Sequence, residues 1–181
     1  INSFLFFVCL FLNMLEKILV LVFLSWVPLF ELRWSIPIGL FSGVIEGVPF
    51  FGSMQGFALP LEIVFLVCVG ANALLGFLAY FFFDKIIFVF LKVPFLKKFY
   101  NKLIIKSQKK AYPLVEKYGL IGMSLFIAIP LPGSGSWTGA LAGNLLNFGY
   151  KRFFVANLIG VIISGLIVSI VFTGAFSFFG V

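Results

Sequence analysis

The chain alternates between long apolar runs and short breaks rich in proline, glycine and hydroxyl side chains. Two of the runs are uninterrupted. Residues 60–83, "PLEIVFLVCVGANALLGFLAYFFF", end at Asp84 and Lys85, and residues 153–176, "FFVANLIGVIISGLIVSIVFTGAF", follow a basic "YKR". Each is long enough to cross a hydrocarbon core of about 30 Å with some tilt, so each is predicted to be a transmembrane helix. Gly70 and Gly76 in the first, and Gly160 and Gly165 in the second, offer places where a neighbouring helix can approach closely.

The remaining apolar regions are broken. Residues 18–30 are helix-like but short, and are followed by "ELRWSIP", a second short apolar stretch to Ile45, and the glycine- and proline-rich "EGVPFFGSMQG". Residues 119–129 are apolar, 130–139 are broken, and 140–150 return to a basic end. Pro130 and Pro132 each remove a backbone donor and restrict the preceding residue. Unpaired backbone groups are tolerated at membrane depth only inside protein or beside a water-filled cavity. Each broken region is therefore expected to be a re-entrant hairpin. The opening "INSFLFFVCLFLN" is separated from the next run by Asn13, Glu16 and Lys17. It reads as an extra half-helix, a signal-like segment, or part of one crossing through Phe30. The chain opens on isoleucine, and Met14 is a candidate start.

Composition strengthens the membrane reading. Of 181 residues, 62% are hydrophobic and only 10% charged, against about 25% charged in soluble domains. The net charge of +7 is concentrated: nine lysines lie between Lys85 and Lys117, against Glu116 alone. That segment is expected on the cytoplasmic side. In "FLKKFYNKLIIKSQKK" the four-residue spacing of Phe95, Phe99 and Leu103 predicts an amphipathic helix on the inner membrane face, held by anionic headgroups, rather than a nucleic-acid site. With the connector cytoplasmic, the first hairpin enters from outside and the second from inside. The expected fold is an all-α integral membrane protein of one domain, 1–181. A first repeat (18–83), a basic connector (84–117) and a second, inverted repeat (118–176) compose it, as in many secondary transporters.

Candidate chemistry is sparse. The absence of histidine excludes histidine-based catalysis, metal sites and pH switching, and no cofactor or metal is expected. Cys9 and Cys68 lie in apolar runs and read as buried thiols rather than a disulfide. Glu31 and Arg33, between two apolar half-helices, are costly there unless paired, wet or interior. Glu31 can carry a proton or pair with Arg33, and Arg33 can offer its planar fork to a phosphate or carboxylate; a structural ion pair holding a turn is the alternative. Residues 133–139, "GSGSWTG", supply the hydroxyls of Ser134, Ser136 and Thr138, exposed amides around Gly133, Gly135 and Gly139, and Trp137 as lining or packing. The half-helix that follows points its positive end at this tip. The stretch lacks the GK[ST] ending of a phosphate loop, and no base lies nearby to activate a serine. Asn72, Asn144 and Asn157 are expected to bond between helices, and Glu62 to lie at the interface.

"PLFELRWSIPIG" (28–39) and "EKYGLIGMSLFIAIPLPGSGSWTGAL" (116–141) resemble the small multi-drug export protein family, itself similar to the DedA group of membrane proteins with paired re-entrant hairpins and links to lipid flipping and membrane homeostasis. The resemblance extends over about residues 14–173. It implies that Glu31, Arg33 and Pro37 belong to the first hairpin motif, and Pro130, Pro132, Gly133, Gly135, Trp137, Thr138 and Gly139 to the second. The family's GNxxP-like pattern is kept in "GANALLG" at Gly70 and Asn72, without the proline.

The function these readings favour is a proton-coupled secondary transporter or flippase of small or amphipathic, including anionic, molecules, in a bacterial or archaeal cytoplasmic membrane. Its partners would be membrane lipids and a small-molecule or lipid substrate, with further copies of the chain left open. A non-transporting scaffold acting through a partner at the basic helix is the alternative. An intramembrane enzyme is disfavoured for want of a nucleophile–base pair or metal cluster.

Overall fold

The computed structural model describes residues 2–28, 30–49, 51–92, 112–113, 115–131 and 134–179. The basic stretch 93–111, which holds most of the predicted amphipathic helix, lies outside the described residues, as does the side chain of Cys9. Among the described residues, six helices and a small β-hairpin follow in the order α1 (Asn2–Trp26), α2 (Glu31–Leu40), β1 (Val44–Val48), β2 (Gly52–Gln55), α3 (Leu61–Lys92), α4 (Leu120–Ala128), α5 (Ser136–Leu145) and α6 (Tyr150–Phe179). Apart from the hairpin, which the all-α expectation did not include, the architecture is helical. Two stretches, Leu61–Phe83 of α3 and Tyr150–Gly174 of α6, are long and apolar enough to cross a membrane. Helices α2, α4 and α5 have 9 or 10 residues, about 15 Å at 1.5 Å per residue, and none spans a bilayer core alone.

The chain divides into two compact units, residues 1–71 with 168–181, and residues 72–167. In the first unit, α1 is one continuous helix of 25 residues. Asn13, Glu16 and Lys17 interrupt its apolar pattern without ending it, so the helix starts well before Ile18. The chain then breaks at Pro28 and turns into α2, with the Phe30 and Glu31 amides donating to the Val27 carbonyl (3.0 and 3.1 Å). Leu24, Phe30, Ile38 and Val48 are buried together, with Val20, Trp34, Ile45 and Met54 packed against them.

The β-hairpin pairs Ile45 with Met54 and Val48 with Gly52, with a register shift between Glu46 and Val48. Gly47, at φ 75°, is the extra residue of this bulge. Ile45 and Val48, three apart and so on opposite faces of a regular strand, thereby reach the same core. Phe51 in the turn meets Phe30 edge-on at 5.9 Å, which brings the hairpin tip to the α1–α2 break.

In the second unit, small residues set the helix spacing. A Cβ on Gly139 would lie 2.6 Å from Ile127, and one on Gly160 would lie 2.7 Å from both Ile127 and the Ser124 carbonyl. A Cβ on Gly76 would meet the Asn157 amide at 2.5 Å. Both expected approaches at Gly76 and Gly160 are therefore present, whereas Gly70 faces open space. Tyr80 stacks on Phe153 at 4.5 Å, and Phe77 packs against Tyr150 at 4.9 Å. At the two ends of the connector, Lys85 lies over the Phe81 ring and Lys117 over the Tyr118 ring (4.5 and 5.2 Å). Tyr112 donates to Glu116 at 3.0 Å, and that bond to a carboxylate holds the phenol above its ordinary range.

Candidate functional site at the helix breaks

Two helix breaks carry the candidate residues, one in each unit. In the first unit Glu31 opens α2 with φ 43°, a left-handed backbone that costs a side-chain-bearing residue about 1–3 kcal/mol. The residue is only 5% exposed. Its Oε2 lies 3.5 Å from Arg33 Nη2, an ion-pair distance. Its carbonyl accepts from Ser35 Oγ at 2.7 Å, so a buried hydroxyl fixes the first turn of the helix. Pro37 stands inside α2, where it cannot donate to the Arg33 carbonyl one turn back. The two charges expected at this break are thus brought together. Below them Cys68, a free and buried thiol, lies in hydrogen-bonding contact with Ser35 and Ser25. Sequence alone does not bring this cluster together, because Ser25 and Cys68 each sit alone in an apolar run and Ser35 lies in the break between two.

The second break separates α4 from α5. Pro130 is half-buried there, while Pro132 and Gly133 lie outside the described residues. Ser134 Oγ lies 2.6 Å from the Ile129 carbonyl and 2.8 Å from that of Leu131, so its hydroxyl serves the carbonyls left at the end of α4. Gly135, at φ 119°, precedes α5 in a conformation that favours glycine. Thr138 Oγ1 donates back to the Gly135 carbonyl at 3.3 Å. Gly139 lets Ile127 of α4 approach α5, and Trp137 meets Phe83 edge-on at 5.9 Å.

One long-range bond ties this tip to a membrane helix. Ser136, fully buried at the start of α5, donates its Oγ proton to Asn72 Oδ1 of α3 at 2.5 Å. Asn157 donates Nδ2–H to the Ala73 carbonyl at 3.0 Å. Asn72 and Asn157 therefore bond between helices, as their positions suggested. Asn157 Oδ1 is buried with no hydrogen-bond partner among the described residues, and it rests against the Cα of Gly76.

Among the described residues no group of three His, Cys, Asp or Glu side chains is placed to hold a metal. The Glu31–Arg33 pair at the first break and the hydroxyls at the second do not form a nucleophile–base pair.

No curated protein and no solved structure matches the chain. The model of the small multi-drug export proteins matches residues 31–167, about three quarters of the chain. The match begins at Glu31, so α1 lies outside it and the matched stretch is shorter at both ends than the resemblance had suggested. It starts at the first residue of α2, includes the second break and the whole of α3, and ends within α6. The chain belongs to the small multi-drug export protein family, a transport-related and non-catalytic family of membrane proteins.

Proposed function

We propose that this protein is a secondary transporter or flippase that couples proton movement to the passage of small or amphipathic molecules, anionic ones included. In this reading α1–α2 with α3, and α4–α5 with α6, are inverted repeats. The second is a re-entrant hairpin followed by a crossing; in the first, α1 runs for 25 residues, longer than a half-helix, and only its junction with α2 corresponds to the hairpin tip. The basic connector lies on the cytoplasmic face against anionic headgroups. The shortness of α2, α4 and α5 supports it, as does a helix break before the polar residues of α2 and before those of α5.

The observation that carries the proposal is Glu31. A nearly buried carboxylate, in a left-handed backbone, paired with an arginine at a helix break, concentrates several unfavourable terms in one residue. Such combinations persist where function requires them. Protonation of Glu31 would weaken its hold on Arg33, whose guanidinium then turns its donors to a phosphate or carboxylate. Loss of the proton would restore the pair and release the anion. In the second unit, Thr138, Trp137 and the turn from Pro130 to Gly135 are the groups a ligand would meet.

Proteoliposomes holding wild type or Glu31→Gln, loaded with a panel of anionic and amphipathic dyes and labelled lipids, test this across pH 6–8. The expected result is a flux that follows the imposed pH gradient in wild type and is lost in the variant, with folded protein recovered in both. A flux equal in both proteins removes Glu31 from the mechanism, and no flux in either removes the transport reading.

A further inference from the structure

A second polar site lies elsewhere in the first unit. A cavity of about 450 Å³ opens between α1 and the segment that follows β2, a size typical of small-molecule sites. Asn13, Glu16, Lys17 and Val20 line it from α1; their i, i+3, i+4, i+7 spacing puts them on one helical face, well before the break at Pro28. Ser42, Gln55 and Phe57 line it from the other side.

Its wall is firmly built. The amides of Phe57, Ala58 and Leu59 donate to the carbonyls of Ile38, Phe41 and Gly39 at 2.8–2.9 Å, closing the C-terminal end of α2. Gly56 admits the chain here, since a Cβ would lie 2.3 Å from the Phe41 carbonyl oxygen. Ala58 takes φ 52°, a second left-handed residue held by its surroundings. Lys17 Nζ donates to the Phe57 carbonyl at 3.1 Å, which uses one of three ammonium protons.

We infer that this cavity binds the headgroup of a zwitterionic phospholipid, with the Glu16 carboxylate taking the ammonium and Lys17 the phosphate. One charge of each sign, flanked by amides and a hydroxyl, disfavours a purely anionic ligand at Glu16 and a purely cationic one at Lys17. The lipid, rather than a soluble zwitterion, is favoured by the exposed apolar surface of α1 that lies outside the cavity face. There Leu15, Leu19 and Phe23 are exposed at four-residue spacing, a surface on which an acyl chain can lie. The α1 side of the cavity precedes the family match, and the inference is independent of transport, because it concerns binding at rest.

The test is native mass spectrometry of the full chain in detergent, titrated with phosphatidylethanolamine or phosphatidylglycerol of identical chains, and separately with soluble phosphoethanolamine. The expected result is about tenfold tighter binding of the zwitterionic lipid, the worth of one charged hydrogen bond. Glu16→Gln should abolish that preference. Gln55→Glu, which sets a second carboxylate beside the phosphate, should weaken both lipids by a similar factor. Both positions are exposed, so neither variant depends on refolding a core, as Lys17→Met would. Equal binding of the two lipids, unchanged affinity in both variants, or saturation by phosphoethanolamine as tight as by the lipid overturns the inference.

Discussion

Ser136 and Asn72 form a buried hydrogen bond between the first residue of α5 and the middle of α3. The hydroxyl donates and the amide oxygen accepts, so a short helix that cannot cross a membrane by itself is pinned at its tip to one that can. The Ser136 side chain is fully buried, and its contribution is positional.

Removal of that donor should be measurable. Ser136→Ala is expected to lower stability in detergent by about 1 kcal/mol, the range found for hydrogen bonds between membrane helices. The double variant with Asn72→Ala should cost less than the sum of the single changes, because the two side chains share one interaction. Strict additivity in thermal or denaturant unfolding would show that the pair is not coupled.

Gly76 and Gly70 lie two turns apart on one helix and should respond in opposite ways. Gly76→Ala drives a methyl group into the Asn157 amide, with an expected cost of about 1–3 kcal/mol from overpacking. Gly70→Ala meets no atom within 4 Å and should be neutral or slightly stabilising, since alanine favours helix. Equal melting shifts for the two would contradict the packing described for Gly76.

The left-handed backbone at Glu31 sets a ranking among variants that all lack the carboxylate. Glu31→Gly relieves the strain at φ 43° and Glu31→Ala keeps it, so the glycine variant should be the more stable by about 1 kcal/mol. This order reverses the usual helix preference of the two residues. Unfolding that follows the usual preference would mean that the backbone relaxes once the carboxylate is gone.

Arg33→Gln leaves the Glu31 carboxylate without its arginine. A buried carboxylate that loses its arginine loses part of what offsets its desolvation, and proton uptake removes that charge. The deficit of this variant relative to wild type should therefore be largest near pH 8 and shrink as pH falls toward 5. The double variant Glu31→Gln, Arg33→Gln should be more stable than Arg33→Gln at pH 8, and its difference from wild type should not close on acidification. A pH-independent deficit in Arg33→Gln would indicate that the arginine acts through packing rather than charge.

Much of this organisation is legible in the residues. The lengths of the two apolar runs give α3 and α6 directly, the prolines give the second break, and the expense of Glu31 and Arg33 beside apolar half-helices marks the first. Other features are hidden for physical reasons. The β-hairpin escapes because its bulge at Gly47 destroys the alternation that identifies a strand. Its inward residues Ile45 and Val48 stand three apart, and its glycines and proline read as loop. The continuity of α1 is one of three readings the residues leave open, because Asn13, Glu16 and Lys17 look like a break in hydropathy, whereas they lie on one face that lines a polar cavity. Ser134 reads as a ligand group or a cap for the helix that follows, whereas its hydroxyl lies on the Ile129 and Leu131 carbonyls just after the helix that precedes it.

Ile127 belongs to α4, yet its seat is made by Gly139 of α5 and Gly160 of α6. That arrangement imposes an order on synthesis. When α4 leaves the ribosome neither glycine has been made, and when α5 follows only one wall of the seat exists. Helices α4 and α5 can therefore form as a nascent pair, but they reach their final packing only after α6 has arrived. A chain truncated before Gly160 would leave Ile127 half-housed, a ready signal for quality control to recognise an unfinished protein.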